Sequence, residues 1–588
     1  MQACGDRGAV RGSSEQLLVP RSALQNVLLR PHGLDRATCV TLSSLRAATA
    51  CARGLAAHRK PALLSAARVL QIFSRLMRWL ALCLLAWGLL GCSLPSLESR
   101  SQSVALSAAH SQQTVLGQAV AHSMQLHPGL AGLYLLTDPH EAFAARIELS
   151  QQAEQTLDIQ YYIWRGDITG QLMLDALKDA ADRGVRVRLL LDDLGVSQLD
   201  DELYLLDTHP NIEVRFFNPF VFRAFKPLGF VTDFSRANRR MHNKSFTADN
   251  AVTVIGGRNV GDEYFGATDG VLFADLDVLV LGPVVQDVSD SFDAYWASAS
   301  SYPVALIVKP PSKRQLSQLD ARARKVERSP EAAIYKDVVS DASVVNRMLA
   351  QSLPMHWAAT KLVVDDPAKG LGEAAKTELI THHIMRMMGQ PTKSMDLVSP
   401  YFVPTDLGVD YFVDLAAQGV EIRILTNSLV ATDVLPVHSG YARHRKRLLG
   451  AGIELFELKP DLEVANGFAA QHSFMGSSGS SLHAKTFAID AERLFIGSFN
   501  FDPRSAMLNT EMGFVIDSPE LVAGMNQLFL KQIPERSWVL SLSEDQGQLQ
   551  WLDLSQQPKM VLTTEPMTTW QQRLAVQLLS WLPIDWLL

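Results

Sequence analysis

The sequence predicts an α/β fold made of two copies of one domain, each a mixed β-sheet flanked by helices. The first observation is a gapless repeat, in which MHNKSFTADNAVTVIGGRN (241–259) aligns with LHAKTFAIDAERLFIGSFN (482–500). The second is that the repeat extends upstream, where LDIQYYIWRGD (157–167) matches MDLVSPYFVPTD (395–406). The third is the alternation of apolar strand-like runs with helical segments, which is typical of layered α/β proteins.

The remaining elements of the repeat follow in the same order in both halves. A helical stretch ends in a glycine, and apolar runs that predict strands come after it. The paired runs are GVRVRLLLDD (184–193) with GVEIRILTNS (419–428), NIEVRFF (211–217) with GIELFEL (452–458), and FADLDVLV (273–280) with NTEMGFVI (509–516). The last pair places Asp275 opposite Glu511.

Each copy carries the pattern H-x-K-x4-D, followed after six intervening residues by G-[GS]-x-N. On a β-strand the histidine and the lysine share one face, and a histidine beside a cation suits a phosphate anion. Two copies in register predict one active site at the pseudo-twofold interface between the halves. The matched residues are His242, Lys244, Asp249 and Asn259 in the first copy and His483, Lys485, Asp490 and Asn500 in the second.

These motifs, with LDIQYYIWRGDITG, RGVRVRLLLDD, GGRNVGDEYF and GSFNFDPRS, resemble the phospholipase D superfamily. Within it the chain is similar to bacterial cardiolipin synthases, in particular the type called C. The resemblance implies two phospholipase D-like domains, at 137–302 and 346–535. Prolines and a charged helical pattern predict that 303–345 is a connecting segment.

The resemblance also implies a reaction in two displacements on a phosphodiester. One histidine attacks phosphorus to give a phosphohistidine, and the other protonates the departing alcohol and later deprotonates the incoming one. His242 is implied as the nucleophile and His483 as the acid and base. The phosphate oxygens would be held by the two motif lysines and by the two motif asparagines.

Other site residues have supporting roles by the same resemblance. Asp275 and Glu511 would each orient a histidine ring. Asp249 and Asp490 belong to the catalytic motifs, and we expect them to act structurally rather than to touch substrate. Ser498 would add a phosphate donor in the second copy only, because the first copy has a glycine there. We expect neither a metal nor a cofactor.

We expect the substrates to be phospholipids in a membrane. Phosphatidylglycerol would be the acceptor, and phosphatidylglycerol or phosphatidylethanolamine the donor. The alternatives are a phospholipase D, in which water is the acceptor, and a noncatalytic membrane scaffold, which two complete motifs argue against. From Cys92 onward acidic residues outnumber basic ones by 58 to 42, which disfavours nucleic acid as a partner. The sequence leaves open whether an accessory protein is needed.

The N-terminal region has the features of a targeting signal rather than those of a folded domain. Residues 77–91 have a positive head and a short apolar run, as secretory signal peptides do. The following Cys92 completes a sequence that resembles the lipobox of bacterial lipoproteins, although a signal anchor remains the alternative. This predicts an envelope lipoprotein facing the periplasm. Residues 1–76 would be a non-native upstream extension, or else a transit peptide.

The last predictions concern the flanking segments and the cysteines. Residues 92–136 would be an N-terminal tether. Residues 536–588 would be a C-terminal tail that packs on the second domain or docks on a membrane through its tryptophans. All five cysteines lie in the first 92 residues, which excludes a disulfide framework or a cysteine-ligated metal from the body.

Overall fold

The computed structural model describes residues 77–79, 94–266, 273–460 and 481–588. The predicted upstream extension, nearly all of the signal peptide, and the lipidated Cys92 lie outside these residues. In the described part of the chain, no helix combines the length and the apolar character that crossing a membrane requires.

The first half is built on a mixed sheet with the spatial order β9-β4-β3-β2-β5-β6-β8-β1. β2, β3 and β4 are parallel, and the other pairings are antiparallel. The strands are β1 (Ala131–Leu136), β2 (Thr156–Ile163), β3 (Arg186–Gly195), β4 (Ile212–Phe217), β5 (Ser245–Ala248), β6 (Val252–Gly256), β7 (Phe273–Ala274), β8 (Asp277–Leu281) and β9 (Ser301–Pro303).

The second half repeats this arrangement with the order β10-β17-β16-β15-β11-β12-β13-β18-β19-β20. Here β11, β12 and β13 are the parallel strands. The strands are β10 (His356–Val364), β11 (Ser394–Val398), β12 (Glu421–Asn427), β13 (Glu454–Leu458), β14 (Ser481–Leu482), β15 (Thr486–Ile489), β16 (Arg493–Gly497), β17 (Met512–Asp517), β18 (Ser537–Leu542), β19 (Leu549–Asp553) and β20 (Met560–Leu562).

The two halves meet along equivalent strands. β1 pairs antiparallel with β10, which joins both sheets into one. The short strands β7 and β14, one from each half, pair in parallel. One buried apolar cluster also draws on both sheets, since it contains Val278 from the first and Phe514 from the second. The predicted class of two duplicated α/β domains with mixed sheets is confirmed.

Helices cover the sheets, and several begin where a side chain caps them. Asp167 accepts from the Gly170 amide at one helix start, and Asp502 from the Ser505 amide at another. The α-helices of the first half and the connecting segment are Ala108–Ser111, Val115–Leu126, Pro139–Gln152, Ile168–Asp182, Asp200–Asp207, Gly229–Thr232, Phe234–Ala237, Asp262–Phe265, Val284–Ala297, Val304–Ile307, Lys313–Glu327, Pro330–Ala342 and Val344–Leu349. Those of the second half and the tail are Ile380–Met388, Thr405–Ala417, Leu435–Ala442, Arg445–Gly450, Pro503–Met507, Pro519–Gln527, Ile533–Arg536 and Trp570–Leu579.

The flanking segments take a larger part in the fold than we expected. The predicted tether ends in β1, inside the first sheet, so that the half begins before residue 137. The connecting segment buries Tyr335 against Phe143. The predicted C-terminal tail opens with β18, β19 and β20, which extend the second sheet. Apolar strands such as β18 need a sheet edge to satisfy their backbone groups.

Candidate active site

Backbone contacts between the halves fix both motif histidines. The His242 amide donates to the Thr510 carbonyl at 2.9 Å, and the His483 amide donates to the Ala274 carbonyl at 2.8 Å. Thr510 and Ala274 immediately precede Glu511 and Asp275 in the sequence. Each histidine is therefore anchored beside the carboxylate of the other half.

The side chains repeat this exchange. Nδ1 of His242 donates to Oε2 of Glu511 at 2.8 Å, and Nδ1 of His483 donates to Oδ2 of Asp275 at 2.5 Å. All four side chains are buried. A protonated Nδ1 leaves the Nε2 lone pair of each ring free for chemistry. From the sequence we expected each carboxylate to orient a histidine. The sequence did not indicate that each pair joins a histidine of one half to a carboxylate of the other.

The two motif lysines are buried cations. Lys244 donates to the His242 carbonyl at 2.6 Å, and Lys485 donates to the His483 carbonyl. Burial lowers the pKa of Lys244 to about 7 and that of Lys485 to about 8, against the pull of Asp275 and Glu511. An anion that entered the site would restore the charged form of both lysines.

The two histidine–carboxylate pairs differ electrostatically. Burial raises the pKa of Glu511 to about 7, even though Lys244 and Ser498 oppose the shift. Burial would also raise the pKa of Asp275, but the charges of His483 and its neighbours outweigh it and hold the pKa well below the usual range.

The histidines differ in the same way. Burial and the charges of Lys244, Lys485 and His483 lower the pKa of His242 well below its ordinary value. Burial and Lys485 also lower the pKa of His483, but Asp275 opposes them. Both histidines thus favour the neutral imidazole, and His483 is the one whose carboxylate partner opposes that preference.

Three predicted phosphate donors are placed differently from one another. The Asn259 amide nitrogen donates to the Tyr264 hydroxyl at 3.0 Å, whereas the buried Oδ1 of Asn500 makes no hydrogen bond with the described residues. The Ser498 hydroxyl donates to Oε2 of Glu511 at 2.5 Å. The Ser498 proton is thus directed at the carboxylate, and a contact of Ser498 with the phosphate stays a prediction.

The motif aspartates hold backbone rather than line the site. Asp249 accepts from three successive backbone amides at the start of β2, at 2.8–2.9 Å. Asp490 accepts in the same way from the amides that lead into β11. Both residues have a positive φ, at the turns that follow β5 and β15. These contacts are those of structural residues, and the absence of a catalytic role for either aspartate stays a prediction.

Sequence reasoning missed two positioning groups. Asp365 accepts from the Glu511 amide and from the Lys369 ammonium, both at 2.9 Å. Asp192 accepts from the Met241 amide at 2.8 Å and forms a buried ion pair with Arg240, next to His242. Each of these two aspartates stands at the end of an apolar run in the sequence. A carboxylate at the end of a buried strand was the signal that could have identified them.

The described residues contain no cluster of three or more histidine, cysteine or acidic side chains that could hold a metal ion. Activity without a metal therefore stays a prediction. The arrangement defines a class of protein, the enzymes that transfer phosphodiester groups with a pair of His-Lys motifs.

Comparisons with known proteins agree with this class. The sequence profile described as "Cardiolipin synthase, PLD-like domain" matches residues 147–296 and 384–533. Cardiolipin synthase C of Escherichia coli K12 is 48% identical over 473 residues, which cover 80% of this chain and 99% of that protein. A cardiolipin synthase of Oceanobacillus iheyensis is 25% identical over 66% of each chain. Phosphatidylserine synthase of Haemophilus influenzae is 14% identical in a structural superposition that covers 72% of this chain and 92% of that one, with a TM-score of 0.45. The chain belongs to the cardiolipin synthase family of phospholipase D-like proteins.

Proposed function

We propose that the protein is a phosphatidyltransferase that synthesises cardiolipin from phosphatidylglycerol through a phosphohistidine. The observation that carries the proposal is the crossed pairing of each motif histidine with the carboxylate of the other half, in one buried site. The 48% identity with a protein named cardiolipin synthase C supports the same substrate class. The donor lipid is phosphatidylglycerol or phosphatidylethanolamine.

In the first step, Nε2 of His242 attacks phosphorus, and the bond from phosphorus to the departing alcohol breaks. His483 gives its Nε2 proton to the oxygen of that alcohol. The lowered pKa of His242 keeps the nucleophile neutral, while ionised Asp275 favours the protonated form of His483. These two shifts support the assignment of His242 as the nucleophile.

In the second step, His483 removes the proton from a glycerol hydroxyl of phosphatidylglycerol, whose oxygen then attacks phosphorus. The phosphorus–nitrogen bond breaks, which frees His242 and releases cardiolipin. Lys244, Lys485 and the side-chain amide nitrogen of Asn500 donate to the non-bridging oxygens as charge builds on them. Water in place of the second alcohol would give phosphatidic acid, which is the phospholipase D alternative.

The proposed site would work at a membrane surface in the cell envelope. Lipidation of Cys92 would anchor the chain, and the periplasmic side would supply the phospholipids. Trp570 and Trp581 in the C-terminal tail are largely exposed, which supports a second contact with the bilayer.

The test is lipid analysis of a bacterial host that lacks cardiolipin and expresses the chain from Met77. Wild type should produce cardiolipin, and His242→Ala and His483→Ala should not. His110→Ala, which changes an exposed histidine outside the motifs, is the matched control and should behave as wild type. Phosphatidic acid in place of cardiolipin would identify water as the acceptor. No change in any lipid would contradict the proposal.

A further inference from the structure

The second half contains an apolar cavity of about 190 Å³ beside the site. Its walls come from the sheet and from the helices Ile380–Met388, Thr405–Ala417 and Pro503–Met507. The lining is almost wholly hydrocarbon and aromatic, and Asp502, its one carboxylate, caps a helix by accepting from the Ser505 amide. A cavity with such walls favours a hydrocarbon ligand.

Several residues that line the cavity are close neighbours of the motif residues in the sequence. Phe499 and Phe501 line it on either side of Asn500. Phe487 also lines it, two residues beyond Lys485 and therefore on the same face of the strand. A phosphate held by Lys485 and Asn500 would thus have the cavity next to it.

At the equivalent place in the first half, aromatic rings pack together. Phe143 and Phe265 pack edge to face with centroids 5.4 Å apart, and Tyr335 closes on Phe143 from the connecting segment. At the offset of 241 residues that aligns the two His-Lys motifs, Phe265 corresponds to Ala506, which lines the cavity. The loss of one whole ring at Ala506 opens the second half.

We propose that this cavity receives an acyl chain of the phospholipid whose phosphate lies between the two His-Lys pairs. The inference rests on the proposed function and adds to it an asymmetry, since only the second half would grip a lipid tail. Met507 is an exposed apolar residue of the lining, and the exposed Leu407 lies between lining residues in the sequence, so a chain could enter there from a bilayer.

Binding of n-alkyl phosphates tests this without turnover. The probes are butyl, octyl and dodecyl phosphate, each below its critical micelle concentration, titrated into the full-length protein by calorimetry. In wild type, each methylene that enters the cavity should tighten binding by about fourfold. Ala506→Phe, which restores the ring of the first half, should abolish this gain while butyl phosphate still binds.

Two further variants keep the test decisive. Met385→Trp narrows the cavity from its half-buried rim and should also abolish the gain, even if Ala506→Phe fails to fold. Ala523→Phe adds the same ring on an exposed helix position outside the cavity and should keep it. The inference would be overturned if the affinity of wild type did not rise with the length of the alkyl chain. It would also be overturned if the affinity still rose with that length in both cavity variants. Failure of butyl phosphate itself to bind wild type would instead overturn the phosphate site, and the acyl-chain cavity with it.

Discussion

At the scale of single residues, the two motif histidines are distinguished by their carboxylate partners. His242 faces Glu511, which shares its oxygen with Ser498, whereas His483 faces a strongly ionised Asp275. The two repeats share the same motif residues around both histidines. We therefore expect the contacts that each half makes to the other to decide which role each histidine takes.

A trapping experiment should separate the roles of the histidines. With bis(p-nitrophenyl) phosphate, the leaving group needs no proton, so His483→Ala should still form the phosphohistidine but resolve it slowly. Intact mass measured at alkaline pH should show the adduct on His483→Ala. His242→Ala should show none, and an adduct on His483 in that variant would reverse our assignment.

The dependence of kcat/KM on pH should be a narrow bell with its maximum near pH 7. The ammonium forms of Lys244 and Lys485 exist below their pKa values of about 7 and 8, so phosphate binding is lost as pH rises through them. Glu511, with a pKa of about 7, loses its negative charge as pH falls, and with it its hold on the imidazolium of the transition state.

Glu511→Gln isolates the acid side of that profile. The variant should lower kcat/KM by about 10²- to 10⁴-fold, remove the acid limb and keep the alkaline limb. Steady-state rates from pH 5 to 9 on a soluble phosphodiester would show this. An acid limb that survives in Glu511→Gln would assign it to another group.

At the scale of elements, each motif aspartate ties its own strand pair to the start of the neighbouring parallel strand. Asp249→Ala removes three hydrogen bonds from backbone amides, of which that of Thr156 is buried, and leaves alanine at a positive φ. We expect the free energy of unfolding to fall by about 3 kcal/mol, measured by urea denaturation. The folded variant should keep a kcat/KM close to wild type.

Asp249→Asn is the matched control, because asparagine tolerates the left-handed conformation and keeps one acceptor oxygen. It should lie between wild type and Asp249→Ala in stability. A large loss of kcat/KM in either variant, at unchanged stability, would instead place Asp249 in the chemistry.

The elements also show what the sequence could and could not predict. The gapless repeat predicted both mixed sheets and placed His242 and His483 in one site, since side-chain spacing on a strand is a local property. The crossing of His483 to Asp275 depends on how β7 and β14 pair between the halves, and periodicity carries no signal for that. The hydrogen bond of the Ser498 hydroxyl likewise depends on Glu511, which lies thirteen residues further along the chain, immediately before another strand.

At the scale of the whole molecule, both halves form one sheet, but the segments added to each half differ. The connecting segment fills the first half with Tyr335, whereas the C-terminal strands extend the second. A reaction between two different lipid positions needs such a difference, because a symmetric site would bind donor and acceptor alike. The asymmetry of the fold thus parallels the asymmetry of the histidine pairs.

The C-terminal helix supplies the last prediction, which concerns the membrane. Trp570, Leu574 and Leu578 lie on one face at intervals of four residues and are 63%, 44% and 50% exposed, and Trp581 follows at 71%. Such a stripe favours the plane of a membrane interface. In a Cys92→Ser background, Trp570→Ala with Trp581→Ala should weaken binding to phosphatidylglycerol vesicles by about tenfold or more.

Vesicle sedimentation would measure this binding, and Leu126→Ala, at an exposed apolar residue of the first half, is the control that should leave it unchanged. The same double variant should slow cardiolipin formation on vesicles but not the hydrolysis of a soluble phosphodiester, because the stripe lies outside the His-Lys site. Equal binding of the double variant and its Cys92→Ser parent would mean that the tryptophan stripe does not hold the enzyme at the bilayer.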